Sequence, residues 1–203
     1  GERSGIIPTP EWKQQVRGSK WFAGETISVS IGQGAVSMTP IQALRLVSLI
    51  ATGGKLTTPH VLLRAERLPE ISLQWPVEQL SMGGFASQIR GGMWGSVNNQ
   101  GTSRNAAVAG LDICGKTGTV QLLSDERRKE LDRDLSSFED HSWFAGFATR
   151  NAPEIAVVVF LEHAGKGGEA AAPLGRDTIV AYYARKRRPD LLTQVNLPTA
   201  PQR

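Results

Sequence analysis

A chain of 203 residues, 40% hydrophobic and 21% charged, has a globular composition and the length to bury one ordinary core, which excludes a disordered or fibrous protein. Its formal net charge is only +4, and much of it sits in the run Arg185-Lys186-Arg187-Arg188, so a solvated basic tail is a simpler reading than nucleic-acid binding. No apolar run approaches the roughly 18 residues of a membrane span, the single cysteine, Cys114, excludes an internal disulfide, and a start at Gly-Glu-Arg with neither methionine nor a signal-like segment suits a piece of a longer protein.

Residues up to about Gly24 carry Pro8 and Pro10 and scattered tryptophans without clear period, and read as irregular. Residues 25–36 join a β-rich stretch, Glu-Thr-Ile-Ser-Val-Ser, to the glycines of Ile-Gly-Gln-Gly. Thr39-Pro40-Ile41-Gln42 is the clearest local signal. It places a capping threonine before a first-turn proline, with a glutamine able to reach back, and predicts a helix to about Ala51 that stops at Gly53-Gly54. A short strand is expected within 55–65. From Gln79 to about Asn98 the apolar residues Leu80, Met82, Phe85, Ile89, Met93 and Val97 recur at three and four, which predicts a helix weakened by its glycine pairs. Gly101-Thr102-Ser103 reads as a loop, and the charged stretch between Val120 and His141 as a solvated helix or insertion. Ser142–Ala148 and Ile155–Leu161 read as strands joined by a short turn. The second does not alternate, so both its faces are expected to be covered. A closing helix is expected from Pro173 to about Lys186, with Leu174, Thr178, Ile179, Tyr182 and Tyr183 on one side. Residues 1–188 are read as one folded unit without internal repeat or second core, and 189–203 as a disordered tail.

Residues 110–119, Gly-Leu-Asp-Ile-Cys-Gly-Lys-Thr-Gly-Thr, satisfy two motifs at once. One is G-x-x-x-x-G-K-[ST], a phosphate-binding loop, and the other is K-T-G, the lysine element of serine enzymes that react with penicillin. A phosphate loop needs small residues between its glycines and a helix starting at the lysine. Leu-Asp-Ile-Cys is strand-like, and Gly-Thr-Val-Gln starts a helix badly. The hairpin-sized turn between the two later strands is also too short for a parallel crossover. Nucleotide binding stays a remote alternative. A lysine on an edge strand, in contrast, projects into a cleft beside backbone donors.

Around Lys116-Thr117-Gly118-Thr119 the chain resembles the C-terminal half of the transpeptidase domain of the class B penicillin-binding proteins, most closely the elongation type, penicillin-binding protein 2. The matching residues are Trp12-Lys13 after Pro-Thr-Pro, Gly24–Gly34, Thr39–Gln42, Gly115–Thr119, His141–Ala148, Ile155–Glu162 and Ala171–Pro173. The resemblance implies an α/β (α+β) fold with an antiparallel sheet and flanking helices. It also implies a D,D-transpeptidase that cross-links peptidoglycan through a serine acyl-enzyme. The family's S-x-x-K is missing, since no serine here has lysine three residues later. Ser96-Val97-Asn98 and Ser103-Arg104-Asn105 match the family's S-x-N as strings but lie too close to Lys116, and read as coincidences. The chain is therefore expected to be the K-T-G wall of a site whose nucleophile lies upstream, and to be inactive alone.

Roles follow by the same resemblance. Lys116 supports proton transfer and acylation, Thr117 and Thr119 bind the carboxylate of a D-Ala-D-Ala stem peptide or a β-lactam, the Thr119 N–H completes an oxyanion hole, and Gly118 admits substrate backbone at close range. An ordinary edge strand is the alternative for all four. No cofactor or metal is implied, and His60, His141 and His163 are too dispersed in sequence to suggest a metal site. Cys114 reads as a packed side chain, Trp143 and Phe144 as core or cleft wall, and Gln33 as a turn residue or a buttress of the cleft. The expected partners are the stem peptide, β-lactams and a lipid-II polymerase, with no nucleic acid. The expected location is the periplasmic face of the inner membrane, with the anchor outside this chain. A non-catalytic penicillin-sensing module of the same fold is the second functional reading.

Overall fold

The computed structural model describes residues 2–61, 75–123 and 138–186. Residues 62–65 of the expected first strand, most of the charged stretch after Val120 and the expected tail lie outside them. The chain divides into two compact units, one up to Ala43 and one from Leu44 onward.

The first unit holds α1 (Pro10–Arg17) and α2 (Ala23–Ser30), tied by an antiparallel bridge between Ile6 and Ser37. Both helices correct the sequence reading. Thr9 caps α1 by accepting the Trp12 N–H at 3.1 Å, Pro10 occupies the first helical position, and Gly18 closes the helix in the left-handed region at φ 62°. Thr9-Pro10 is thus a local helix signal of the kind found at Thr39-Pro40. In α2 the β-rich stretch is overridden from outside its own propensity. The Phe22 N–H donates to the Glu25 carboxylate at 2.8 Å, and the same oxygen takes the buried Lys13 ammonium at 2.6 Å. A satisfied helix start and an ion pair together outweigh a preference worth tenths of a kcal/mol per residue.

Helix α3 (Pro40–Thr52) begins as the sequence predicts. Thr39 Oγ1 accepts the Gln42 N–H at 3.2 Å and Gln42 Oε1 accepts the Thr39 N–H at 2.9 Å. It stops at Gly53 (φ 71°), where the Gly54 N–H bonds Leu49 O at 2.9 Å. In the second unit β1 (Lys55–Thr57) pairs antiparallel with β2 (Val77–Gln79). The expected helix from Gln79 is therefore a strand at its start, and α4 spans only Phe85–Asn98. Gly83, at φ 51°, and Gly84 turn the chain before the helix can form.

The main sheet is antiparallel in the order β3-β4-β5, with β3 (Cys114–Val120), β4 (His141–Ala148) and β5 (Ile155–Leu161). Cys114 opposes Phe147, and Thr117 opposes Phe144. Because side chains alternate, Phe144 and Phe147 leave opposite faces, and each anchors an apolar cluster. Phe144 packs with Val157, Ile179, Val180 and Tyr183, beneath the closing helix α5 (Ala171–Arg185), and Phe147 with Val47, Ala51, Met93 and Cys114. The buried face of α5 differs from the expected one. It consists of Ala171, Ala172, Gly175, Ile179, Val180 and Tyr183, while Leu174 is exposed. Gly175 explains the shift, since a Cβ there would sit 2.2 Å from the Phe144 ring, and this face must be small for the helix to approach the sheet. The β5 strand is half-buried rather than covered on both faces, with Val157, at 8% exposure, its one buried residue.

Candidate active site

Strand β3 has β4 on one side, so its other edge carries backbone groups that the sheet does not use. The loop after α4 is folded against this edge. Gln100 turns the chain in the left-handed region at φ 54°, and Gly101 follows where a Cβ would lie 2.5 Å from Ser96 O, so the loop doubles back over the helix end. Ser103 is fully buried there. Its Oγ accepts the Thr117 N–H at 3.1 Å and is bonded by the Ser96 hydroxyl at 2.9 Å, while its own N–H bonds Ser96 O at 3.1 Å. The Thr117 hydroxyl meets Thr102 Oγ1 at 3.1 Å.

Two neighbouring residues, Thr102 and Ser103, therefore fix both the side chain and the amide of Thr117. Since amide direction alternates along a strand, the Thr119 N–H points to the same outer edge as that of Thr117. The Thr119 hydroxyl accepts the Gly167 N–H at 3.3 Å. Lys116 is exposed, and its Nζ bonds Thr117 O at 2.7 Å, so the ammonium is held along the outer edge.

A cleft of about 470 Å³ opens here, lined by Lys116, Thr117 and Thr119 from β3, Gln100–Asn105 in part, and Lys166, Gly168 and Glu169 from the loop before α5. Gly118 is not part of its lining. Its own Cβ direction meets Trp143 at 3.3 Å, and a Cβ on Gly167 would fall 2.3 Å from Gly118 O. It is the missing side chain of Gly167 that lets this loop pack against the Gly118 and Trp143 carbonyls. Gly115 is more demanding, because a Cβ there would be 2.5 Å from the Phe144 ring.

The phosphate-loop alternative fails on this geometry. Lys116 and Thr117 lie in mid-strand, with no helix beginning at them. Cys114 is buried beside Met93 and Phe147, and burial pushes its thiol up to about 11, so it stays a protonated packing group. Phe144 is core, and Trp143 is half-buried against Phe160 with ring centroids 4.5 Å apart. Gln33 lies in the turn after α2, where its N–H bonds Ser28 O at 2.9 Å. His141 and His163 come together with ring centroids 4.8 Å apart, whereas His60 stacks on Trp75.

The two S-x-N strings part company. Asn98 holds backbone, donating to Trp94 O and Ile113 O, whereas Ser103 braces the K-T-G strand and Arg104 and Asn105 reach the cleft. Sequence reasoning missed Thr102, Ser103, Arg104 and the Lys166–Glu169 loop. The usable hint was Gly101-Thr102-Ser103 itself, a compact hydroxyl-bearing loop just ahead of the motif.

An antiparallel edge strand bearing a lysine and two threonines lines the cleft, and the closing helix α5 backs the sheet. Residues 1–180 match the model of the penicillin-binding protein transpeptidase domain, and the chain belongs to that family. Among its relatives, the peptidoglycan D,D-transpeptidase MrdA of Haemophilus influenzae is 36% identical over 205 residues, covering 97% of this chain and 31% of that protein. The Acinetobacter baumannii MrdA is 38% identical over 176 residues, 84% of this chain and 26% of that protein. The Pseudomonas aeruginosa PBP2 structure in complex with WCK 5153 superimposes with a TM-score of 0.72 at 31% identity, covering 90% of this chain and 39% of that one. PBP2 of Helicobacter pylori, in its complex with MreC, also gives 0.72, at 26% identity over 92% of this chain and 32% of that one. The chain thus spans between about a quarter and a third of the length of the relatives it matches.

Proposed function

We propose that the protein carrying this chain is an elongation-type peptidoglycan D,D-transpeptidase, to which these residues contribute the K-T-G wall. The observation that supports this most directly is the β3 edge. It brings the Lys116 ammonium, the Thr117 and Thr119 side chains and the outer backbone edge at Thr119 to one cleft. A serine from outside this chain attacks the penultimate D-Ala carbonyl of a stem peptide. The new serine ester forms as the peptide C–N bond breaks, and the serine's proton leaves with the terminal D-Ala amine. An amine of a second stem peptide then replaces the serine, which recovers its proton. Lys116 supports these proton transfers electrostatically, Thr117 and Thr119 hold the terminal carboxylate, and the Thr119 N–H stabilises the oxyanion, a contribution of about 3 kcal/mol for one well-placed donor.

By the same reading the protein works at the periplasmic face of the inner membrane beside a lipid-II polymerase, and an MreC-like scaffold is a further candidate partner. Among the described residues no helix is long and apolar enough to cross a membrane.

The test is acylation by a fluorescent penicillin in the intact protein. Lys116→Ala is expected to slow acylation by about 100-fold or more while leaving thermal unfolding unchanged, because the side chain is exposed and contributes little to the core. Acylation at the parental rate would remove Lys116 from the mechanism.

A further inference from the structure

The loop from β5 to α5 supplies Lys166, Gly168 and Glu169 to the cleft, and it is moored on the residues that open β4. His163 lies two residues beyond the end of β5 with φ at 51°, a left-handed backbone state that persists in a residue with a Cβ only where surrounding bonds impose it. Its N–H donates to His141 Nδ1 at 3.1 Å. The next two N–H groups, of Ala164 and Gly165, both donate to Asp140 O, at 3.0 and 2.9 Å, and the buried Ser142 hydroxyl donates to Gly165 O at 2.6 Å. The cleft rim follows directly, through Gly167, whose N–H reaches the Thr119 hydroxyl.

The hydrogen bonds fix where the two imidazoles carry their protons. A carbonyl oxygen only accepts, so the contact of His163 Nδ1 with Glu139 O at 3.3 Å places a proton on that nitrogen. A backbone N–H only donates, so His141 Nδ1 carries a lone pair and the neutral ring has its proton on Nε2. The two residues therefore answer acid differently. His163 gains its proton at Nε2 and keeps its bond to Glu139. His141 gains its proton at Nδ1, which sets an N–H against the His163 N–H and breaks the mooring, with the other ring centred only 4.8 Å away.

Among the described residues, the titratable and charged groups around His141 are His163, Glu139, Asp140 and Glu162. Strand β3 sets Val120 opposite it, and β5 sets Phe160 edge to face at 5.5 Å. Glu139 Oε2 stands beside Gly165, and the Asp140 carboxylate accepts the Leu122 N–H at 3.3 Å. Carboxylates on the same short stretch stabilise an imidazolium that has let go of the loop, so the released state is accessible.

We infer that His141 is a positioning residue for the reaction: with Nδ1 unprotonated it moors the 163–170 loop, holding Gly167 against Thr119 and Lys166 and Glu169 at the cleft rim, and acid releases that loop. The inference rests on the acylation reading above, because His141 affects chemistry that it does not touch. Imidazole is the side chain whose ordinary titration falls between about pH 5 and 8, so release belongs to that range.

The test compares the intact parent protein with His141→Asn and His141→Leu. Asparagine sets an amide oxygen where Nδ1 stands and does not titrate, whereas leucine offers no acceptor. Hydrogen-exchange protection at His163 and Gly167, relative to the β4 amides, and the rate of acylation by a fluorescent penicillin are each measured at about pH 7.5 and about pH 5.5. Both quantities are expected to fall about five-fold on acidification in the parent relative to His141→Asn, and to be low at either pH in His141→Leu. The role of His141 is overturned if the parent and His141→Asn change in parallel, if His141→Asn is as low as His141→Leu, if His141→Leu keeps parental values, or if protection follows pH and acylation does not. A parent that is not acylated at either pH would overturn the transpeptidase reading and the positioning role with it, and exchange at Gly167 distinguishes the two failures.

Discussion

Ser103 shows how a residue outside the K-T-G string can hold the strand that bears it. Its oxygen is the acceptor for the Thr117 amide and its buried position admits no water to replace it. Removing the hydroxyl strands an N–H in the middle of the K-T-G strand and also deprives the Ser96 hydroxyl of its partner, a loss of about 1–3 kcal/mol for a buried orphaned group. Ser103→Ala is therefore expected to lower stability by that amount and to accelerate hydrogen exchange at the Thr117 amide relative to its β4 neighbours. An unchanged exchange rate at Thr117 would show that the bond does not hold the strand. Gly115 illustrates the opposite requirement. It contributes no group to the chemistry, yet a single added carbon would strike the Phe144 ring and displace the strand that carries Lys116.

At the scale of elements, α3 and α2 make the useful contrast. The start of α3 was legible because Thr39, Pro40 and Gln42 act on one another across three residues, and local chemistry of that kind survives in any context. The α2 stretch was not legible as a helix. Its Ile, Val and Thr favour strand, and the groups that reverse the choice include Lys13, twelve residues away. The same pair makes a pH prediction. Glu25 is held below its ordinary value of 4.5 first by the Lys13 hydrogen bond and then by the Phe22 N–H. A carboxyl depressed in the folded state stabilises above its ordinary value, and that contribution is lost as pH falls through the lower folded value. Glu25→Gln is expected to be less stable than the parent at pH 7, with the difference shrinking as pH falls below 4.5 and gone once pH is below the depressed folded value. Denaturant midpoints measured across that range check it, and a pH-independent difference would mean that the carboxylate charge plays no part.

For the whole molecule, the cleft is a product of two neighbouring segments, the loop 100–105 and strand β3, and a remote one, the loop 166–169. Packing on the sheet brings them together, since α5 lies on the Phe144 face and carries the second loop to the β3 edge with it. The sheet itself contains no nucleophile of the S-x-x-K kind, and no serine of the chain has a lysine three residues on. The 203-residue chain on its own is therefore expected to form no covalent adduct with a β-lactam, even when folded. Intact-mass spectrometry after incubation with a fluorescent penicillin decides this, and a stoichiometric serine adduct would mean that a nucleophile has been missed.

The sequence by itself determined the class of fold, the β4 and β5 strands, the α3 start and the K-T-G-T string on an edge strand, because apolar runs, caps and a four-residue motif are all written within a few neighbouring residues. Only the tertiary structure decided that α2 is a helix, that Ser103 braces the motif, and that Arg104 and Lys166 share its cleft. Those outcomes depend on hydrogen bonds and packing between residues separated by 12 to 63 positions, as in Lys13 to Glu25 and Asn105 to Gly168, and partners at such distances leave no periodicity for a local reading to detect.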